Sequence, residues 1–174
     1  PMAFAEFSYG GAMGAEAPVY AFPGKSGTIT TSATNAAATV LATELNSLTS
    51  GSVSSLSAAQ DNDTAGTRDL YAQAEIYIAV QGTVRAAGAY VALYLVPELD
   101  GTNYGATNDE CLDNYFVGSA SLDDLVVGAR FLIIDRVRLP VGDFKVALKN
   151  GTGQPLAASG NTVKLRTYTF EDAT

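Results

Sequence analysis

Leu70-Tyr71-Ala72-Gln73-Ala74-Glu75-Ile76-Tyr77-Ile78-Ala79-Val80 is the stretch on which the fold turns. Leu70, Ala72, Ala74, Ile76, Ile78 and Val80 share one parity; Tyr71, Gln73, Glu75, Tyr77 and, just beyond, Gln81 share the other. Successive side chains of a strand point to opposite faces, so this period of two predicts a strand with one face in a core and the other wet or aromatic.

The same reading extends in both directions. Over Gly88 to Pro97, Val91, Leu93 and Leu95 alternate with Tyr90, Tyr94 and Val96, so both faces are apolar. Such a strand is expected to be central, with its second face covered. The segment 82–87 between these two runs is short enough to join them as antiparallel neighbours. Asp100-Gly101-Thr102-Asn103 is a turn signal. Further strands are expected over Tyr115–Ser121 and over Phe131–Leu139, which stops at Pro140. Phe144–Lys149 and Thr162–Phe170 follow, separated by the loop Asn150-Gly151-Thr152-Gly153-Gln154-Pro155. Gly27–Ser32 and Gly51–Ala58 are weaker, Thr- and Ser-rich candidates. Thr34–Leu48 could be helical by its alanines, but Thr39, Val40, Thr43 and the Thr/Ser flanks favour strand and loop. About eight strands with turns between them predict an all-β, antiparallel two-sheet sandwich of the jelly-roll type.

The 174 residues, 18.0 kDa, suit one domain. No repeat of fixed period divides them. The expected organisation is an extended N-terminal arm over 1–25 and a sandwich over 26–174. Hydrophobic residues reach 47%, enough for a core, while charged residues are only 16%, which leaves neutral polar side chains to cover the surface. Net charge is −8 with no basic cluster, so neither nucleic acid nor an acidic membrane surface is an expected partner. No apolar run reaches the ~18 residues of a membrane span, and residues 1–18 lack the basic start of an export signal.

Chemistry is sparse. Without His, the usual general base, the usual zinc ligand and every Ser-His or Cys-His pair are gone. The single Cys111 cannot form an intramolecular disulfide. Gly10-Gly11-Ala12-Met13-Gly14 lacks the Lys-Ser/Thr of a phosphate loop. Asp61-Asn62-Asp63-Thr64-Ala65-Gly66 resembles the start of a calcium loop, but position twelve is Ala72 and the segment runs into a strand; turn chemistry explains it as well. Asp109, Glu110 and Asp113, and separately Asp123 and Asp124, read as solvated loops. Paired carboxylates can hydrolyse glycosides without His, yet the Trp residues that usually line such clefts are absent. No enzyme, cofactor or metal is expected.

The aromatic residues are more informative. Tyr71, Tyr77, Tyr90 and Tyr94 lie opposite the main aliphatic stripes. They are either covered by a second sheet or loop, or form an interaction face, or form a carbohydrate platform. Phe4, Phe7, Tyr9, Tyr20 and Phe22, with Met13 and Val19, stud the arm, which has no basic residue before Lys25. Disordered tails are poor in aromatics, so the arm is expected to dock, on its own sandwich or on a neighbour. Phe4, Phe7, Tyr9, Tyr20, Phe22, Tyr71 and Tyr77 are the candidate partner-binding residues.

Gly88-Ala89-Tyr90-Val91-Ala92-Leu93-Tyr94-Leu95 with Pro97, the turn Asp100-Gly101-Thr102-Asn103-Tyr104, Leu139-Pro140-Val141-Gly142-Asp143-Phe144-Lys145-Val146, Asn150-Gly151-Thr152-Gly153-Gln154 and Ser159-Gly160-Asn161-Thr162 carry a resemblance. Over residues 67–170 the chain resembles the head decoration, or cement, proteins of tailed bacteriophages. The resemblance implies a jelly-roll virion protein that binds the outside of the capsid and reinforces contacts between major capsid subunits. It also implies a homotrimer, assembled in the host cytoplasm and carried on the capsid exterior, with a terminal arm that reaches a neighbour. A carbohydrate- or receptor-binding module of a tail or fibre is the alternative.

Overall fold

The computed structural model describes residues 36–63, 68–106, 112–123 and 125–169. Phe4, Phe7, Tyr9, Tyr20 and Phe22, the 1–25 arm, the 27–32 strand candidate and Cys111 lie outside them. Seven strands are present among the described residues: β1 (Ala38–Leu41), β2 (Tyr71–Ile78), β3 (Tyr90–Pro97), β4 (Phe116–Ser121), β5 (Arg130–Arg138), β6 (Phe144–Gly151) and β7 (Thr162–Tyr168). They form two antiparallel sheets, ordered β1-β7-β2-β5 and β4-β3-β6. The fold is an all-β sandwich, as the alternation requires.

The core between the sheets takes one parity of each strand. Ala72, Ala74, Ile76 and Ile78 of β2 meet Val91, Leu93 and Leu95 of β3, Val146 and Leu148 of β6, and Val163 and Leu165 of β7. The stripe is shorter than the sequence suggests. Leu70 is 51% and Val80 61% exposed, because both fall past the ends of β2 where no partner sheet covers them.

The doubly apolar β3 is the central strand of its sheet, buried from Val91 to Val96. Its outer face carries a second, smaller core of Ala92, Tyr94, Val96, Ala106 and Ala147, roofed by Val53, Leu56, Tyr104 and Tyr115. Tyr94 is therefore a core residue, and burial pushes its hydroxyl pKa up, with the Asp113 carboxylate adding to the shift.

Part of that roof replaces an eighth strand. Residues 51–60 run along the free edge of β6, joined to it by the bridges Val53–Lys149 and Gln60–Phe144. The N–H groups of Ser54, Ser57 and Gln60 donate to the carbonyls of Leu148, Val146 and Phe144 at 2.9, 2.9 and 2.8 Å. The segment thus advances three residues for every two of β6, and backbone return bonds are made only at its ends, from Asn150 N to Ser52 O at 2.9 Å and from Phe144 N to Gln60 O at 3.1 Å. Ser54 Oγ and Ser57 Oγ fill the gap, accepting from Leu148 N at 3.1 Å and Val146 N at 2.9 Å. Counting this segment, the pairing is nested: β1 with β7, 51–60 with β6, β2 with β5, and β3 with β4.

One connection departs from expectation. Segment 82–87 does not join antiparallel neighbours, because β2 and β3 belong to different sheets. Residues 79–89 cross between the layers and clasp the 125–128 loop through Gln81 N to Val127 O, Arg85 N to Val126 O and Leu125 N to Arg85 O. Arg85 is fully buried in the crossover, its Nε donating to Gln81 Oε1 and its Nη2 to Gly128 O, both at 2.6 Å. Burial, then the neighbouring Arg130 cation, draws the Arg85 pKa down.

Candidate docking face

The outer face of the four-stranded sheet carries four aromatic side chains, Phe131 exposed and Tyr71, Tyr77 and Tyr168 half-buried. Because β2 pairs β7 on one side and β5 on the other, register alone places its residues in rows. Thr162, Tyr77 and Phe131 form one row, Lys164, Glu75 and Ile133 the next, and Tyr168, Tyr71 and Arg138 the last. Between these, Arg166 and Gln73 face a β-bulge of β5, where Asp135 and Arg136 together oppose Gln73 and Arg136 takes φ 54°.

An aromatic pair closes each end of the grid. Tyr77 and Phe131 lie with ring centroids 4.6 Å apart at a 42° tilt; Tyr71 and Tyr168 stack at 5.9 Å and 26°. Six residues of strand separate the pairs by about 20 Å. Burial, then the Asp135 carboxylate, raises the Tyr168 pKa and keeps its hydroxyl neutral. Toward β5 the face is bare: Phe131 is 79% and Ile133 62% exposed.

Electrostatically the face opposes the rest of the chain. Lys164, Arg166 and Arg138 confront the single carboxylate Glu75, and Asp135 and Arg136 cancel at the bulge, whereas the whole chain carries −8. Arg166 Nη2 donates to Glu75 Oε1 at 2.9 Å, an exposed pair of small energetic weight.

The four tyrosines grouped by sequence therefore separate. Tyr71 and Tyr77 stay together on this face, half-buried. Tyr90 and Tyr94 belong to the other sheet, Tyr94 within its second core. Phe131, Ile133 and Tyr168 join the face without having been singled out. In the sequence, Phe131-Leu132-Ile133-Ile134 belongs to a strand candidate with no polar alternation to mark an outer face, and its place on an edge strand exposes two of its members.

The calcium-loop candidate takes a different form. Asp143, from the β5–β6 connection, brings its carboxylate within 4.8 Å of those of Asp61 and Asp63. Asp143 Oδ1 accepts from Asn62 N and Asp61 Oδ1 from Asp63 N, both at 3.2 Å. Ala72 is buried in β2 and offers no ligand. The cluster is explained by turn hydrogen bonds around Asn62, whose Nδ2 reaches Pro140 O at 2.8 Å. Asp123 pairs with Arg130, and Asp113 is exposed. No helix among the described residues is long and apolar enough to cross a membrane.

No family model, no curated protein and no solved structure matches this chain.

Proposed function

We propose that this chain is a non-enzymatic virion structural protein, a decoration protein on the outside of a tailed-phage head that reinforces contacts between major capsid subunits. The carrying observation is the bare apolar corner of the docking face, Phe131 at 79% and Ile133 at 62% exposure beside Tyr77. Exposed apolar side chains grouped side by side are a common mark of an interaction surface. Tyrosine and arginine around them are the residue types that anchor such contacts. The nested pairing of strands supports a jelly-roll connectivity, and the resemblance over 67–170 supplies the phage head as partner.

The carbohydrate reading fares less well on this face. A sugar ring stacks on a free, flat aromatic surface, whereas Tyr71 and Tyr168 cover one another and Tyr77 is tilted across Phe131.

The test uses the particle encoded with this chain. The protein should sediment with heads and rebind to heads stripped of it. Burying one Phe contributes about 1.5–3 kcal/mol, so Phe131→Ser should weaken rebinding roughly 10- to 100-fold. Recovery of the chain in tails alone, or its absence from particles, overturns the assignment. Wild-type rebinding by the variant overturns the face. Deleting residues 1–22 tests the arm separately, because the sandwich should remain folded while head binding is lost.

A further inference from the structure

The sandwich protects its sheet edges unequally. The free edge of β6 is closed by residues 51–60 and two serine hydroxyls, and the edge strand β1 is only four residues long. On the opposite side, β4 and β5 are the terminal strands of their sheets, and β5 is the longest strand at nine residues. These two edges lie together, since the Ile134 side chain packs where Gly118 of β4 has no Cβ. Among the described residues, one whole side wall of the sandwich thus ends in strands with no further neighbour.

Edge strands that must stay single usually carry a bulge, a proline or an inward charge. β5 has its bulge at Asp135 and Arg136 and a charge, Arg130, on its inward parity at the first position, so both ends are so marked and the stretch Phe131–Ile134 between them is not. The first half, Arg130-Phe131-Leu132-Ile133-Ile134, is in regular register with β2, contains no proline, and exposes Phe131 and Ile133.

We infer that β5 pairs antiparallel with β5 of a second copy of this chain, about a two-fold axis through Leu132. Side-chain parity restricts the possible registers, because opposed residues must share a face. Centring on Leu132 pairs the whole regular stretch with itself. Phe131 then faces Ile133 of the second copy, Arg130 faces Ile134, and both bulges stay outside the ladder. Centring one residue later sets Phe131 against the charged Asp135 and draws the bulge into the pairing. The two-fold axis of an antiparallel pair is perpendicular to the sheet, so the same operation brings β4 toward β4 and continues both layers.

The available area sets the strength of the pairing. Five paired residues at about 3.3 Å make a ladder about 17 Å long, and two layers about 10 Å apart make a wall about 20 Å wide. That is on the order of 330 Å² per copy and about 700 Å² for two, which is the size of a weak, reversible contact and not of a permanent one. The pairing is isologous and closes at two copies. It also joins the two Tyr77–Phe131–Ile133 corners into one apolar strip. It does not depend on the head-binding reading.

Analytical ultracentrifugation of the full chain from about 1 to 300 μM tests it directly. The mass should rise from 18.0 kDa to twice that value. Amide exchange should show outward N–H groups of Arg130–Ile134 gaining protection as concentration rises. Phe131→Lys and Ile133→Glu, both at exposed positions that leave the core intact, should each weaken pairing about 10-fold or more. An equimolar mixture of the two variants should pair more tightly than either alone, because the ammonium introduced on one copy then faces the carboxylate introduced on the other. A monomer throughout the range, a three-fold mass, or a mixture no tighter than its components overturns the inference. A dimer that fails to bind heads upholds it and sinks only the head-binding reading.

Discussion

Ser57→Ala removes one oxygen from the β6 edge, and its cost can be worked out from what that oxygen does. Ser57 is 3% exposed; its Oγ accepts from Val146 N at 2.9 Å and donates to Ala58 O at 2.7 Å. Val146 is fully buried, so no water can replace the lost acceptor. An unsatisfied buried donor costs about 1–3 kcal/mol. Ser54→Ala does the same to Leu148 N. The two serines hold one segment, so the double variant should lose about 2–5 kcal/mol with some non-additivity. Total stabilities of domains are about 5–15 kcal/mol, so the double variant approaches the limit of folding. Urea denaturation should show lowered midpoints at constant slope, and the amides of Val146 and Leu148 should lose exchange protection before their neighbours. Ser55→Ala, at an exposed position in the same segment, should stay within about 0.5 kcal/mol of wild type. If Ser57→Ala matched that control and Val146 kept its protection, the hydroxyl would not be the acceptor that closes the edge.

Two further predictions concern packing and charge. A Cβ at Gly118 would lie 2.7 Å from Ile134 Cγ2, so Gly118→Ala should destabilise by about 1–3 kcal/mol; combined with Ile134→Ala, the double variant should be more stable than the sum of the two single losses. Asp100 is held below the ordinary carboxylate range first by the Asn103 side-chain amide, donating at 2.8 Å, and then by the Asn103 backbone N–H. Its contribution to the 100–103 turn is therefore present above the unfolded pKa and lost as pH falls through the lower folded one. Carboxyl NMR titration should find the Asp100 midpoint rising toward the ordinary range in Asn103→Ala, and an unmoved midpoint would assign the shift elsewhere.

Much of the strand content is legible because a strand has a period of two. The inner stripe Ala72, Ala74, Ile76 and Ile78 is fully buried, and the doubly apolar β3 is central and covered on its second face. The weak 51–58 candidate is legible only as Ser-rich; nothing in its pattern shows that two hydroxyls stand in for strand carbonyls. That substitution depends on β6 lying alongside with a two-residue repeat against a three-residue one. Within the docking face, Tyr71 and Tyr77 can be found from alternation alone. Lys164 and Arg166 share a parity on β7, but their meeting with Arg138 cannot be found that way, since β5 and β7 come together only through β2.

By itself, the sequence determined which residues could face a core, where the chain had to turn, and that chemistry based on His or a disulfide was out of reach. Those properties are local, set by side-chain type and by the two-residue repeat of extended backbone. Tertiary structure decided which strands became neighbours, which ones ended the sheets, and hence which apolar residues were left bare. Phe131 and Ile134 differ little in hydrophobicity, yet one is 79% exposed and the other 9%. The difference arises because Ile134 points toward β4 across the sandwich, while Phe131 points outward from an edge strand that no other described part of the chain covers.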